Sequence, residues 1–367
     1  MKNPIHSLLQ GTSRHVVVLG TARMADAVAN SFLIVVLPLY IASNNVHGRF
    51  GLSPAAATGV VLAAFGVMNA FLQPFAGRMS DRLGKRRAFV VGGLLLLTVL
   101  NVLYVLAHSY VILLLVRTGQ GVAAALTITA TVALVNELST QSNRGGNMGT
   151  YNSLRLLGFG VGPLAAGFVV SSGPYKLPGG LTVNGYDAAF YIAAAGALVS
   201  ASLVAWLIHD PEKTHPTERR VHLAIRSRDG DHLLDPIFAL GVATLVMALC
   251  IALLASIETH VNARLDQGAR WFGFQFAGFI LTLSLTQPFV GRASDRWGRR
   301  VFVIVGLVLL APTTLVQGLV VTSLELLLAR LAQGIAGAMV FAPALALAGD
   351  LALEGLSGLQ LSVLTMA

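Results

Sequence analysis

Arg23, Asp26 and Asn30 stand three and four residues apart, so a helical segment around them puts a guanidinium, a carboxyl and an amide on one face. The segment, VVVLGTARMADAVANSFLIVVLPLYIA from Val16 to Ala42, is otherwise almost wholly apolar. Burial disfavours a bare carboxylate while a neighbouring arginine favours it, so a substrate or a change of access can tip the balance between the two protonation states. That is the behaviour a proton carrier needs, and Arg23 with Asp26 forms the candidate proton-coupling pair. The competing reading is a permanent ion pair that only tolerates burial.

Three further arginines, Arg117, Arg155 and Arg330, also interrupt apolar runs. An arginine at the centre of a lipid-facing helix costs about 2.5–3.5 kcal/mol on the insertion scale, so these side chains are expected to face a wet cavity or a partner. Arg155 precedes Gly158 by one turn and can also snorkel towards the membrane surface. With them, Asn30, Tyr40, Asn69, Gln73, Gln120 and Asn152 are the polar candidates to line or gate a path. Glu258 and His260 fall near the end of another apolar run and read as a solvated rim.

These residues need long membrane helices to position them. The 367 residues are 55% hydrophobic and 11% charged, a balance that fits a chain lying largely in lipid. Runs such as Val16–Ala42 and Phe89–Ala107 approach or exceed the roughly 20 residues that cross a bilayer as helix. Apolar runs between polar or Gly/Pro stretches predict helices over 16–42, 56–76, 88–107, 110–134, 149–171, 187–208, 236–259, 270–290, 301–321 and 324–348. An eleventh is expected to begin near Ser357, with serine as a plausible N-cap, and the chain ends inside it. The first run is too long for a secretory signal and is expected to stay as an anchor.

The net charge of +9 raises the possibility of nucleic-acid binding. Alternating the spans across the membrane puts 17 of the 25 basic residues on one side and 4 on the other, which makes the charge a topology signal and that side cytoplasmic. The N-terminus falls on the same side. No nucleic-acid partner, cofactor or metal is expected: His209, His215, His222 and His232 lie in a polar linker without compact ligand spacing, and Cys250 is alone.

The chain also repeats itself. QPFAGRMSDRLGKRR from Gln73 to Arg87 returns as QPFVGRASDRWGRR from Gln287 to Arg300, shifted by 214 residues. VRTGQG at Val116–Gly121 returns as ARLAQG at Ala329–Gly334, and Glu137 returns as Asp350, each shifted by 213. A duplicated bundle is a common basis of secondary transporters, with the substrate site between repeats. In each hairpin glycine allows close approach and a tight turn, and Asp81 adds nothing to positive-inside topology. A latch in which Asp81 and Lys85 or Arg86 meet Glu137 and a helix N-terminus accounts for it better.

These residues resemble the major facilitator superfamily. Gly77, Asp81, Arg82, Gly84, Lys85 and Arg86 match the signature loop between its helices 2 and 3, and Gly291, Asp295, Arg296, Gly298, Arg299 and Arg300 match the counterpart between helices 8 and 9. Arg117, Gln120 and Gly121 look like the helix 4 motif. GFGVGPLAAG, through Gly158, Gly162, Pro163 and Gly167, is similar to the helix 5 motif of the family's antiporters, with Ala166 in place of a frequent glycine. The resemblance implies an all-α membrane protein with two pseudo-symmetric helix bundles, residues 1–208 and 236–367, joined by a cytoplasmic linker over 209–235. The second bundle is expected to be cut short in helix 11.

The expected function is proton-coupled efflux of drug-like or other amphipathic molecules by alternating access, in the cell (plasma or inner) membrane, by a monomer whose partners are lipid, proton and substrate. A sugar or metabolite symporter of the same family would be expected to show more hydrogen-bonding side chains in its cavity helices. A non-transporting membrane receptor is the alternative from another class. An enzyme is not expected, since no nucleophile and base, and no metal-ligand cluster, sit together at membrane depth.

Overall fold

The structure, a computed structural model, describes residues 14–43, 46–139, 144–176, 178–180, 182–210 and 235–351. The helix expected near Ser357, its N-cap and most of the linker lie outside the described residues.

The helices are α1 (Arg14–Ala42), α2 (Pro54–Leu83), α3 (Arg86–Leu103, continued by a 3-10 turn over Tyr104–Leu106), α4 (Tyr110–Glu137), α5 (Arg144–Ser172), α6 (Gly185–Leu207), α7 (Pro236–Ser256), α8 (Glu258–Arg264), α9 (Ala269–Trp297), α10 (Arg299–Leu319) and α11 (Ser323–Leu351). A two-stranded antiparallel hairpin, β1 (Tyr175–Lys176) and β2 (Thr182–Val183), sits between α5 and α6. Among the described residues nine helical segments are long and apolar enough to cross a membrane. Their outer faces fit lipid: Leu115, Leu285, Leu315 and Leu319 are all exposed, a surface that water would not tolerate over this extent.

All ten predicted helices are present, and the differences are at their ends. α2 runs on past residue 76 to Leu83, and α9 past residue 290 to Trp297. Hydropathy stops where the membrane surface begins, but a helix stops only where the backbone turns. Here that happens at Gly84 and Gly298, whose φ of 61° and 97° are left-handed and suit glycine. Each closes its helix by donating its N–H to a serine carbonyl, Ser80 at 3.1 Å and Ser294 at 2.9 Å. Gly77 and Gly291 were expected to allow close approach, but a Cβ on either would meet nothing within 4 Å. The seventh predicted helix is broken at Ile257 (φ −108°, ψ 18°) into α7 and α8.

The described residues divide into two compact units, one within Met1–Thr217 and Ser256–Ala277, the other within Glu218–Ala255 and Gly278–Ala367. The first has a core of Val16, Leu19 and Ala22 from α1 against Val90 and Leu94 from α3, with α4 and α6 closing it. The second packs Leu240 and Met247 of α7 against Val303 and Leu310 of α10 and Ala336 and Val340 of α11. Within each unit the repeat reappears as packing. A Cβ on Gly93 would lie 2.8 Å from the Ala123 carbonyl oxygen, and one on Gly306, 213 residues on, 2.9 Å from Met339 Cβ.

Candidate functional site: a buried charge cluster and two matching arginine sites

Close backbone approach positions the first cluster. α5 lies so near α1 that a Cβ on Gly158 would be 2.3 Å from the Met24 carbonyl oxygen, and one on Gly162 would be 2.0 Å from Ser31 Oγ. From the other side, Ser200 Oγ of α6 donates to the Ala22 carbonyl at 2.6 Å, and a Cβ on Gly196 would come within 3.2 Å of the Ala25 carbonyl oxygen. The turn of α1 carrying Arg23 and Asp26 is thus clamped between two helices. Small residues make such clamping possible where no aqueous hydrophobic effect drives helices together.

Inside the clamp Arg23 Nη1 donates to Asp26 Oδ2, and the two side chains are 7% and 2% exposed. Arg23 Nε is buried without a hydrogen-bond partner among the described residues. Arg155 and the buried Tyr151 of α5 lie within electrostatic reach of the pair. Arg155 is half-buried, its Nε donates to Asn152 Oδ1 at 3.1 Å, and its guanidinium stands 5.5 Å from the centre of the Phe159 ring. A narrow cavity lined by Leu19, Ala22, Val90, Leu94 and Val204, with Thr127 and Thr131 of α4, opens on Arg23 and Asp26. Asn30 is half-buried and makes no side-chain hydrogen bond among the described residues.

The remaining antiporter-like residues face another neighbour. A Cβ on Gly167 would lie 2.5 Å from the Ala269 carbonyl oxygen, and the Pro163 carbonyl oxygen lies 2.5 Å from where a Cβ on Gly273 would sit. Gly158 and Gly162 therefore seat α5 on α1, while Pro163 and Gly167 seat it on the first turns of α9.

Arg117 and Arg330 make the same arrangement in separate units. Arg117 Nη1 donates to Gln120 Oε1 at 2.8 Å with the guanidinium 4.4 Å from the Phe65 ring centre. Arg330 Nη1 donates to Gln333 Oε1 at 2.6 Å, and its guanidinium is 4.8 Å from the Phe279 ring centre. Each glutamine amide is held in turn: Gln120 Nε2 donates to Asn101 Oδ1 at 2.7 Å, and Gln333 Nε2 to Thr314 Oγ1 at 3.0 Å. Tyr104 adds a donor to Gln120 Oε1 at 2.8 Å. In both, a glutamine amide and an aromatic face share the task of holding the guanidinium.

At the first hairpin Arg86 donates from Nε and Nη2 to Glu137 Oε1 at 2.8 and 2.7 Å, and from Nη1 to Ser80 Oγ at 3.2 Å. At the second, Arg299 donates to Asp295 Oδ1 from Nε and Nη2, and from Nη1 to the Ala346 carbonyl at 2.8 Å. Arg82, Lys85 and Arg296 are exposed. The side chains of Asp81 and Asp350 lie outside the described ones, and so does any latch through them.

Other path candidates are scattered. Tyr40 packs edge-on against Tyr186 and Phe190 and donates to the Ala107 carbonyl at 3.5 Å. Asn69 Oδ1 is buried without a hydrogen-bond partner among the described residues, and Gln73 is buried. Glu258 is not a solvated rim residue: it is 0% exposed, accepts only a 3.5 Å bond from Asn262 Nδ2, and has no partner on Oε2 among the described residues. The break at Ile257 turns it inward, while His260 is exposed as expected. Phe65, Asn101, Tyr104 and Tyr151 were also missed. For the first two a signal existed, since Phe279 and Thr314 stand 214 and 213 residues on, the same shift as the motifs.

The model of the Major Facilitator Superfamily matches residues 19–268 and 237–367. The chain belongs to the Major Facilitator Superfamily. It is a multi-pass membrane protein with that family's transporter fold. The solved structure of a bacterial homolog to the human lysosomal transporter Spinster, inward-facing and occupied, superposes with a TM-score of 0.76 over all of this chain and 79% of that one, at 16% identity. The quinolone resistance protein NorA of Staphylococcus aureus is 26% identical over 182 residues, half of this chain and 42% of that protein. Multidrug resistance protein 2 of Bacillus subtilis is 27% identical over 177 residues, 48% and 40% of the two chains. The matched stretch thus spans about two fifths of these relatives' length.

Proposed function

We propose that this superfamily member is a proton-coupled exporter of amphipathic small molecules, working by alternating access between halves 1–208 and 236–367 about the linker 209–235. The observation that carries the reading is the buried Arg23–Asp26 pair, clamped by the glycines of the antiporter-like motif. A carboxyl held against one guanidinium in a dry site exchanges its proton only when water or substrate reaches it, which ties protonation to access. Pro163 lacks a backbone N–H and so permits bending in α5 at the point where that helix bears on α9. The likeness to NorA and to multidrug resistance protein 2 supports export of drug-like compounds. The charge imbalance supports a cytoplasmic N-terminus and cytoplasmic hairpins, in a plasma or inner membrane, with Arg86 and Glu137 as part of the gate. The working unit is a monomer, and the chemistry is transport rather than enzymatic.

The test is flux of a fluorescent amphipathic dye in proteoliposomes holding the full chain. Uptake or release is expected to follow an imposed pH gradient, and Asp26→Asn is expected to abolish that response. Flux indifferent to the gradient and unchanged in Asp26→Asn would overturn the reading.

A further inference from the structure

Charge does not balance around Asp26. Its one carboxylate is engaged by Arg23, yet a second guanidinium, Arg155, lies within electrostatic reach of both. Arg155 spends only Nε, on Asn152; its two Nη groups have no bonded partner among the described residues, and the half-buried side chain keeps them open. Arg23 Nε is unpartnered as well. Elsewhere in this unit Arg117 is another buried cation, and the acids include Asp187, in the first turn of α6, which accepts from Asn184, and the buried Glu258 of α8. At the coupling pair itself two guanidiniums face one carboxylate.

We infer that Arg155, oriented by Asn152, is the recognition point for the anionic group of an amphipathic organic anion carried as cargo. Arginine suits the task, because its planar fork stays charged and presents paired N–H donors to a carboxylate, sulfonate or phosphate. Nε bound to Asn152 fixes the plane and leaves the two Nη groups for the ligand. Phe159, whose ring centre stands 5.5 Å from the guanidinium, supplies an aromatic face for the hydrophobic body attached to that group. An organic cation would meet repulsion from both arginines with one acid, already paired, to offset it. The assignment to cargo rests on the exporter reading; the anion site does not.

The test is equilibrium binding, by calorimetry, to the full chain in phosphatidylcholine nanodiscs without any gradient. The probes are a naphthalene sulfonate and the trimethylammonium compound on the same ring system. The sulfonate is expected to bind at least tenfold more tightly than the cation, to lose at least tenfold in Arg155→Gln, and to recover in part in Arg155→Lys. Asn152→Ala, which keeps the charge and frees its orientation, is expected to weaken the sulfonate about threefold, and it serves if Arg155→Gln fails to fold. Preference for the cation, or sulfonate binding indifferent to these variants, overturns the inference. Repeating the titration with phosphatidylglycerol in the discs separates the sources. Sulfonate binding lost there in the wild type would assign the site to a lipid headgroup and overturn its assignment to cargo. Binding intact with no gradient-driven flux would fail the exporter reading alone.

Discussion

Arg117 holds the side-chain oxygen of Gln120, one turn further along α4, at 2.8 Å, and neither side chain reaches solvent to any useful extent. The amide is the hinge of a network, since Gln120 also binds Tyr104 and Asn101. Replacing Gln120 with leucine keeps the volume and removes the acceptor of a buried guanidinium, a loss of about 2 kcal/mol for a hydrogen bond to a charged group. Gln120→Leu is therefore expected to lower the thermal midpoint of the detergent-solubilised protein, and Gln333→Leu to do the same through Arg330. Scanning fluorimetry of both variants checks this, and a neutral result at both sites would show that the amides do not hold the arginines.

Two glycines of the sequence motifs should respond oppositely to alanine. At Gly158 the new Cβ would meet the Met24 backbone at 2.3 Å, so α5 must move away from α1; overpacking of this kind costs about 1–3 kcal/mol. At Gly77 the Cβ meets nothing within 4 Å, and a helix-interior glycine gains up to about 1 kcal/mol on becoming alanine. Gly158→Ala is expected to lower the thermal midpoint and Gly77→Ala to hold or raise it, measured side by side.

Glu137 balances Arg86, whose side chain is only 5% exposed and also donates to Ser80 Oγ. Removing one member of a buried pair leaves a charge behind and costs several kcal/mol in dry sites; with Glu137 at 18% exposure about 2 kcal/mol is expected for Glu137→Gln. Arg86→Lys cannot place two donors on the carboxylate and should lose part of the same amount. Chemical denaturation of both variants gives the comparison.

Much of this was legible because a membrane chain writes its fold in hydropathy and its symmetry in repetition. The helix spans, the hairpins and the pairing of Arg117 with Arg330 follow from runs and offsets alone. The ends of α2 and α9 did not, because polarity marks the membrane surface and not the turn at Gly84 or Gly298. Arg23 and Asp26 were readable from helical spacing, whereas the approach of Arg155 depends on how deeply Gly158 and Gly162 let α5 sink against α1, which no periodicity in either helix reports. Glu258 was misjudged for a related reason. The break at Ile257 resets the helical phase, so the face read from α7 does not continue into α8.

Glu258 lies beyond the apolar window of Phe238–Ser256, and its complete burial holds its carboxyl well above the ordinary glutamate range, with Asn262 opposing the shift only weakly. Tyr186 of α6 lies in electrostatic reach. A carboxyl whose folded value is raised binds more protons folded than unfolded in the window between the two values. Unfolding then releases protons there, so stability falls as pH rises from the ordinary glutamate value towards the raised one and stays lower beyond it. Glutamine in its place is neutral at every pH and nearly the same shape. Glu258→Gln is thus expected to raise the thermal midpoint at pH 8, to leave it nearly unchanged at pH 4.5, and to flatten this part of the profile, as read from melting curves over that range. A wild-type profile rising with pH through the same window, or parallel profiles for the two proteins, would show that the buried carboxyl is paired in its charged form.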